Sequence, residues 1–101
     1  MRQEIIGAAN GLIKKYYFNP AFQELPKEIQ DEIKLICVTM AEKLQCTFLV
    51  AIDEQGNALF QIAPQEGDIG FDQIGAELEI KRLQREKKEL YGALELWYKI
   101  F

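Results

Sequence analysis

The 101-residue sequence contains no histidine and no serine. Histidine is the usual general base and the usual transition-metal ligand of proteins, so its absence removes the simplest routes to acid–base catalysis and to a zinc site. A Ser-His-Asp triad is excluded because two of its three residue types are missing. Enzymatic chemistry would have to depend on carboxylates, Lys, Tyr, Cys or a metal brought by the substrate. We therefore predict a protein that is not an enzyme and holds no cofactor or metal.

Cysteine is scarce, and long hydrophobic runs are missing. Cys37 and Cys46 form no C-x-x-C pair, so neither a zinc site nor a redox motif is indicated. No apolar run approaches the ~20 residues that span a membrane, and the first residues lack the pattern of a secretory signal. We expect a cytosolic protein with reduced thiols, in which Cys37 is buried on a helix and Cys46 is more accessible.

Positive charge is in deficit, since 16 acidic residues outweigh 12 basic ones and leave a net charge of −4. This balance argues against binding to nucleic acid or to an anionic membrane, because both depend on surplus Lys and Arg. The basic run at residues 81–88 has carboxylates four residues away, such as Glu77 before Lys81 and Glu89 after Arg85. Such pairs are typical of an exposed helix. We interpret the run as a solvated face whose charges neutralise one another.

Carboxylates gather between residues 53 and 72, and paired carboxylates can hold Mg²⁺ or Ca²⁺. Their spacing matches no calcium-loop pattern, and acidic loops are common. We therefore predict ordinary loop residues, with the last of them as the N-cap of the following helix. The residues concerned are Asp53, Glu54, Glu66, Asp68 and Asp72.

The first half of the chain is predicted to form two helices. Apolar residues recur at helical spacing over residues 3–17 and predict the first helix there. Gly7 and Gly11 lie within it, and indicate either a close helix–helix approach or a helix that frays. A proline then ends the element, residues 20–25 form a short helical turn, and a second helix follows over residues 26–44.

A β-hairpin is predicted in the middle of the chain. Residues 46–52 and 58–63 are rich in apolar and β-branched side chains, which favours strands. The segment between them has the composition of a turn, in which Gly56 and Asn57 suit positive φ. One face of the hairpin should carry its large apolar side chains, namely Phe48, Val50, Ile52, Phe60 and Ile62.

The clearest pattern is a heptad seam between residues 76 and 101, which predicts one long helix over residues 72–100. Residues 76–80 alternate with period two and also fit a third strand, but Glu, Leu, Lys and Arg favour the helix. The seam is interrupted by a lysine, and the sequence leaves open whether it packs on the rest of the chain or on a second copy. Its candidate interface residues are Leu83, Lys87, Leu90, Leu94, Trp97 and Phe101.

Aromatic residues gather in two places, at residues 16–22 and 97–101. The simplest interpretation is core packing between the ends of the first and last helices. The alternative is an aromatic groove that accepts a small ligand or a partner peptide.

Together these elements predict one α+β domain over residues 1–101, in the order α-α-β-β-α. Its two-stranded antiparallel hairpin is covered by helices, and its C-terminal helix is long. A lone hairpin is marginally stable and leaves open edges, which a two-fold dimer would remedy by joining two hairpins or pairing two seams. We predict a small non-enzymatic interaction module that forms a homodimer. The alternative is a regulatory module that binds a ligand or partner peptide in the aromatic groove.

The C-terminal half of the chain resembles a family of proteins. The segments DQIG (72–75), EIKRLQREKKEL (79–90) and ALELWY (93–98) are similar to the C-terminal half of an uncharacterised family of short bacterial cytosolic proteins. That family has no assigned activity, so the resemblance implies neither site residues nor a ligand.

Overall fold

A computed structural model describes residues 3–63 and 73–100 of the chain. The described part is α+β, as predicted, but it begins with a hairpin of strands instead of a helix. The elements are β1 (Gln3–Asn10), β2 (Lys15–Phe18), a 3₁₀ turn (Pro20–Phe22), α1 (Lys27–Leu44), β3 (Thr47–Asp53), β4 (Ala58–Ala63), α2 (Gln73–Glu86) and α3 (Lys88–Ile100).

The four strands form one antiparallel sheet in the order β2-β1-β3-β4. The helices pack on a single face of this sheet and share one core with it. Side chains of α1, α2 and α3 meet the inward side chains of the strands there, among them Ile33, Cys37, Leu83, Leu90, Leu94, Phe48, Val50, Ile52 and Phe60. The chain therefore builds by itself the four-stranded sheet that the sequence argument expected from two copies.

The predicted helix over residues 3–17 is wrong, because this segment forms the β1–β2 hairpin. A bulge places Ile6 and Gly7 together opposite Val50, so that Ile6 and Ala9 both reach the core. This spacing of three residues imitates one turn of a helix. Gly7 marks a close approach, since a Cβ there would lie 3.1 Å from Cγ2 of Ile33.

The turn between β1 and β2 depends on Asn10. Its Oδ1 atom accepts hydrogen bonds from the backbone N–H groups of Leu12 (2.9 Å) and Ile13 (3.0 Å). Lys14 completes the turn at φ 58°, in the left-handed region. A short polar side chain that hydrogen-bonds two residues ahead favours a turn over a helix, and this preference decides the local structure.

The middle of the chain folds as predicted. The helix α1 begins one residue later than expected and ends at residue 44, and β3 and β4 pair with Val50 opposite Phe60 and Phe48 opposite Ile62. In the turn between them Gly56 has φ 84°, whereas Asn57 does not adopt positive φ. Pro20–Phe22 forms the expected short helical turn.

The C-terminal segment is helical, including residues 76–80, but it forms two helices that meet at Lys87. The break falls on the residue that interrupts the apolar seam. Each helix is about 20 Å long, so neither exceeds the dimensions of a 100-residue domain. The predicted loop at residues 65–70 and the N-cap at Asp72 lie outside the described residues.

Candidate interaction surfaces

The predicted interface seam is largely occupied by the chain itself. Leu83, Leu90 and Leu94 are 8%, 5% and 1% exposed and belong to the core shared with the sheet. Their burial within a single chain argues against contact with a second copy, and their place in an interface stays a prediction. At Leu83, Leu90 and Leu94 the seam packs on other elements of the same chain.

The other seam residues also contact the chain where the structure describes them. The Trp97 ring lies against Phe22, with 5.7 Å between ring centroids. This contact brings the two aromatic groups together, as expected. Phe22, however, follows the β1–β2 hairpin and not the helix that was predicted over residues 3–17. The Nζ of Lys87 lies 3.3 Å from a carboxylate oxygen of Glu32 on α1. Phe101 lies outside the described residues.

The opposite face of the sheet, which we call the open sheet face, has no packed helix among the described elements. Its side chains are absent from the shared core, and they are largely apolar in its centre. Ile5 is 38% and Tyr17 is 52% exposed, whereas Ala51 at the centre of this face is fully buried within the chain. The strand register places on this face Ile5, Ala8, Tyr17, Leu49, Ala51 and Leu59.

The polar side chains of the open sheet face are mostly neutral and hydrogen-bonded to one another. The Gln3 and Gln61 amides exchange two hydrogen bonds of 2.7 and 3.1 Å, and Asn10 Nδ2 donates to Thr47 Oγ1 at 3.0 Å. Amides that are already paired cost less to remove from water than free ones. The face can therefore be covered by another surface without leaving these groups unsatisfied.

A second surface feature is an open cleft beside the junction of α2 and α3, which we call the elbow cleft. Its volume is about 660 Å³. The Tyr91 ring stacks on Phe60 of the core, with centroids 4.6 Å apart. The backbone N–H of Ala58 donates to Glu95 Oε2 at 3.0 Å. The cleft is lined by Ala58, Leu78, Lys81, Gln84, Arg85, Lys88, Tyr91 and Glu95.

The Tyr91 hydroxyl is buried without a hydrogen-bond partner in the described part of the chain. Burial raises the pKa of this phenol, and the nearby Gln84 side chain and Phe60 backbone moderate the rise. The hydroxyl thus stays protonated at neutral pH. It is a hydrogen-bond donor beside the cleft.

Of the five basic residues in the run at residues 81–88, only Arg82 and Lys87 have carboxylate partners in the described part of the chain. The Glu79 carboxylate contacts Lys43 of α1 at 3.1 Å and Arg82 at 2.7 Å. These two contacts, with Lys43 first, lower the pKa of the Glu79 carboxyl. By contrast, no carboxylate of residues 3–63 and 73–100 lies within 4.0 Å of the charged nitrogens of Lys81, Arg85 or Lys88. All three line the elbow cleft. The spacing of four and three residues could have indicated this shared face.

The two thiols are buried and unpaired. Cys37 is fully buried, and desolvation raises its pKa to about 12. Cys46 is also fully buried, so the expectation of greater accessibility is wrong, because the backbone of Gly11 closes over this strand start with its N–H on the Cys46 carbonyl. Desolvation raises the pKa of Cys46 as well. Neither thiol is a nucleophile in this state.

The acidic residues in the described part of the chain do not form a metal site. No group of three Cys, Asp or Glu side chains there is arranged to hold an ion. Asp53 instead caps the β3–β4 turn, where its Oδ1 accepts the backbone N–H groups of Gln55 and Asn57 at 2.9 Å each. Glu66, Asp68 and Asp72 lie outside the described residues.

Comparison with known proteins identifies the family of the chain. A family profile described as "Family of unknown function (DUF6145)" matches residues 3–101. The chain belongs to this family. The predicted membership of a family without an assigned activity is thereby confirmed. Neither the curated proteins nor the solved structures contain a significant match to the chain. None of the described helices of this family member has the length and apolar character needed to cross a membrane.

Proposed function

We infer that this chain is a small non-enzymatic interaction module that forms a homodimer through its open sheet face. The observation that carries the proposal is that the described helices cover one face of the sheet and leave the other face without a packed helix. An antiparallel sheet with one face in water normally alternates apolar inward and polar outward residues. Here the outward centre is apolar as well, which is typical of a surface that is covered in an assembly.

A second copy is the occupant that the charges of this face favour. Lys15 and Asp53 are its charged residues, and they lie at opposite ends of the sheet. Two copies can therefore approach face to face without bringing a cluster of like charges together. A two-fold axis in the contact plane would place each apolar centre on the other, as in the aligned packing of sheets.

The size of the face predicts a weak dimer. Four strands of about six residues cover roughly 15 by 20 Å. A standard interface buries about 800 Å² of each partner, which is more than this flat area provides. We therefore expect association that depends on concentration and not a permanent dimer.

Multi-angle light scattering tests the proposal over concentrations from about 10 µM to 1 mM, the range in which weak complexes dissociate. We expect the mass of the wild-type chain to rise from monomer toward dimer. The double variant Ile5→Lys/Tyr17→Lys should remain a monomer, because each dimer would bury four added charges in an apolar contact.

A matched control places the same charges on the helical side of the molecule. Leu35 of α1 and Leu96 of α3 are 66% and 60% exposed and do not belong to the open sheet face. The variant Leu35→Lys/Leu96→Lys should dimerise like the wild type. A monomer mass for the wild type throughout the range would refute the proposal, and so would dimerisation of the sheet-face variant to the wild-type extent.

A second candidate function is regulation by a bound ligand, and the elbow cleft favours it. The aromatic groove that the sequence suggested is not its location, because Phe22 and Trp97 pack on each other. The elbow cleft instead combines an aromatic ring with three cations that have no carboxylate partner in the part of the chain that the structure describes. A thermal-shift screen of metabolites would favour this function if organic anions raised the melting temperature.

A further inference from the structure

We propose that the elbow cleft binds a phosphorylated small molecule that carries an apolar or aromatic group, of which a nucleotide is an example. The proposal does not rest on self-association, since the cleft lies on the helical side of the sheet. It rests on three properties of the cleft: its cations, which have no carboxylate partner among residues 3–63 and 73–100, their spacing, and the apolar character of the remaining wall.

The cations of the cleft give it a local charge opposite to that of the whole chain. Lys81, Arg85 and Lys88 face one acidic lining residue, Glu95, and one oxygen of that carboxylate already accepts the Ala58 N–H. The net charge of the chain is −4. Within the described part of the chain these cations have no carboxylate partners, and a cluster of cations raises the local concentration of anions.

The spacing of the cations favours an extended anion over a single ion. Lys81 and Lys88 are separated by about 10 Å along the helical axis. One inorganic phosphate cannot contact both ends of such a row, whereas two linked phosphates or a phosphate with a second polar group can.

The rest of the cleft suits an apolar or aromatic group. Leu78 is 62% exposed at its rim, and the Tyr91 ring is held in place by stacking on Phe60. The Gln84 amide in the lining supplies a neutral hydrogen-bonding group. A volume of about 660 Å³ lies within the usual range for small-molecule sites.

Isothermal titration calorimetry at low salt tests the proposal with four probes, which are ADP, inorganic pyrophosphate, adenosine and a single-stranded RNA dodecamer. We expect ADP to bind with a Kd below about 1 mM, and pyrophosphate and adenosine to bind more weakly than ADP. The double variant Arg85→Gln/Lys88→Gln should weaken ADP binding at least about tenfold, because it removes two charge-assisted contacts.

The matched control is Lys27→Gln/Lys34→Gln, which removes two positive charges from α1 outside the cleft. It should bind ADP like the wild type. Circular dichroism checks that both double variants fold, and the changed residues are exposed. A second measurement, the ¹⁵N spectrum of the wild type with ADP, should shift amides of Lys81 to Tyr91 and not those of α1.

Several outcomes would overturn the proposal. These are the absence of binding by ADP, equal loss of affinity in both double variants, and ADP shifts confined to α1. Binding of pyrophosphate as tight as that of ADP would show that the apolar wall takes no part. Tight binding of the RNA without binding of ADP would assign the cations to a nucleic-acid surface instead.

Discussion

At the scale of single residues, two glycines have opposite roles. A Cβ on Gly11 would lie 2.0 Å from the carbonyl oxygen of Ala41, so the β1–β2 turn can approach the end of α1 only without a side chain. A Cβ on Gly92, in the exposed surface of α3, would have no atom within 4 Å. The first glycine is required by packing, and the second only weakens its helix.

We therefore expect opposite effects of the same substitution at these two positions. Gly11→Ala should lower the free energy of unfolding by about 2 kcal/mol or more, because backbone atoms must move. Gly92→Ala should raise it by about 0.5–1 kcal/mol through helix propensity. Urea denaturation measures both. A neutral Gly11→Ala would contradict the described contact between the turn and α1.

Asp53 gives the stability of the molecule a defined pH dependence. Hydrogen bonds from the backbone N–H of Asn57, and then from its side chain and from the backbone of Gln55 and Gly56, lower the pKa of this carboxyl below its ordinary value of 3.8. A group with a depressed pKa in the folded state stabilises the fold above the ordinary pKa. This contribution is lost as the pH falls through the lower, folded value.

We expect Asp53→Ala to melt below the wild type at pH 7, with a difference that shrinks as the pH falls below about 4. Asp53→Asn keeps an acceptor oxygen but carries no charge, so its deficit at pH 7 should be smaller than that of Asp53→Ala, and it should also shrink as the wild-type carboxylate becomes protonated. Thermal unfolding at pH 7 and pH 3 measures both variants. A constant difference for Asp53→Ala would show that the carboxylate does not stabilise the turn through its charge.

At the scale of elements, the C-terminal helices complete the core of the sheet. Leu94 and Leu96 lie on the same helix, and they are 1% and 60% exposed. We expect Leu94→Ala to lower the free energy of unfolding by about 2–5 kcal/mol, and Leu96→Ala to change it by less than about 0.5 kcal/mol. Denaturation at micromolar concentration measures both.

The concentration dependence of this loss distinguishes the two interpretations of the seam. If Leu94 packs within its own chain, the destabilisation is the same at every protein concentration. A loss that appeared only where the protein is dimeric would place Leu94 in an interface and contradict its position in the core.

The elements that sequence patterns predicted correctly are those with a regular period. The helix α1 and the strands β3 and β4 match their predicted bounds within one residue. The first hairpin was mistaken for a helix because the bulge at Ile6 and Gly7 changes its period. The interruption of the helix at Lys87 was visible in the sequence only as an interrupted seam.

The candidate sites were less predictable, because they depend on which neighbours meet in space. The salt bridges of Glu79 involve Arg82 and also Lys43 from another helix, so helical spacing alone paired the charges incompletely. The open sheet face could not be found before β1 was known to be a strand. Ile5 and Tyr17 had been assigned to a helix, where they would not share a face with Leu49.

At the scale of the whole molecule, the sheet separates two kinds of surface. Its helical side buries the core and carries the elbow cleft with its cations. Its other side, as far as the structure describes it, is apolar in the centre and has only Lys15 and Asp53 as charged residues. The proposed self-association and the proposed anion binding therefore concern opposite sides, and we expect that one can be removed by substitution without altering the other.

The most direct test of the proposed interface is an isotope-filtered NOE experiment on a mixture of labelled and unlabelled chains near 1 mM, where a weak dimer is populated. We predict intermolecular NOEs to the methyl groups of Ile5, Leu49 and Leu59, and none to those of Leu35 or Leu96. Intermolecular NOEs confined to Leu35 or Leu96 would contradict the open sheet face as the interface, and a complete absence of them would contradict self-association.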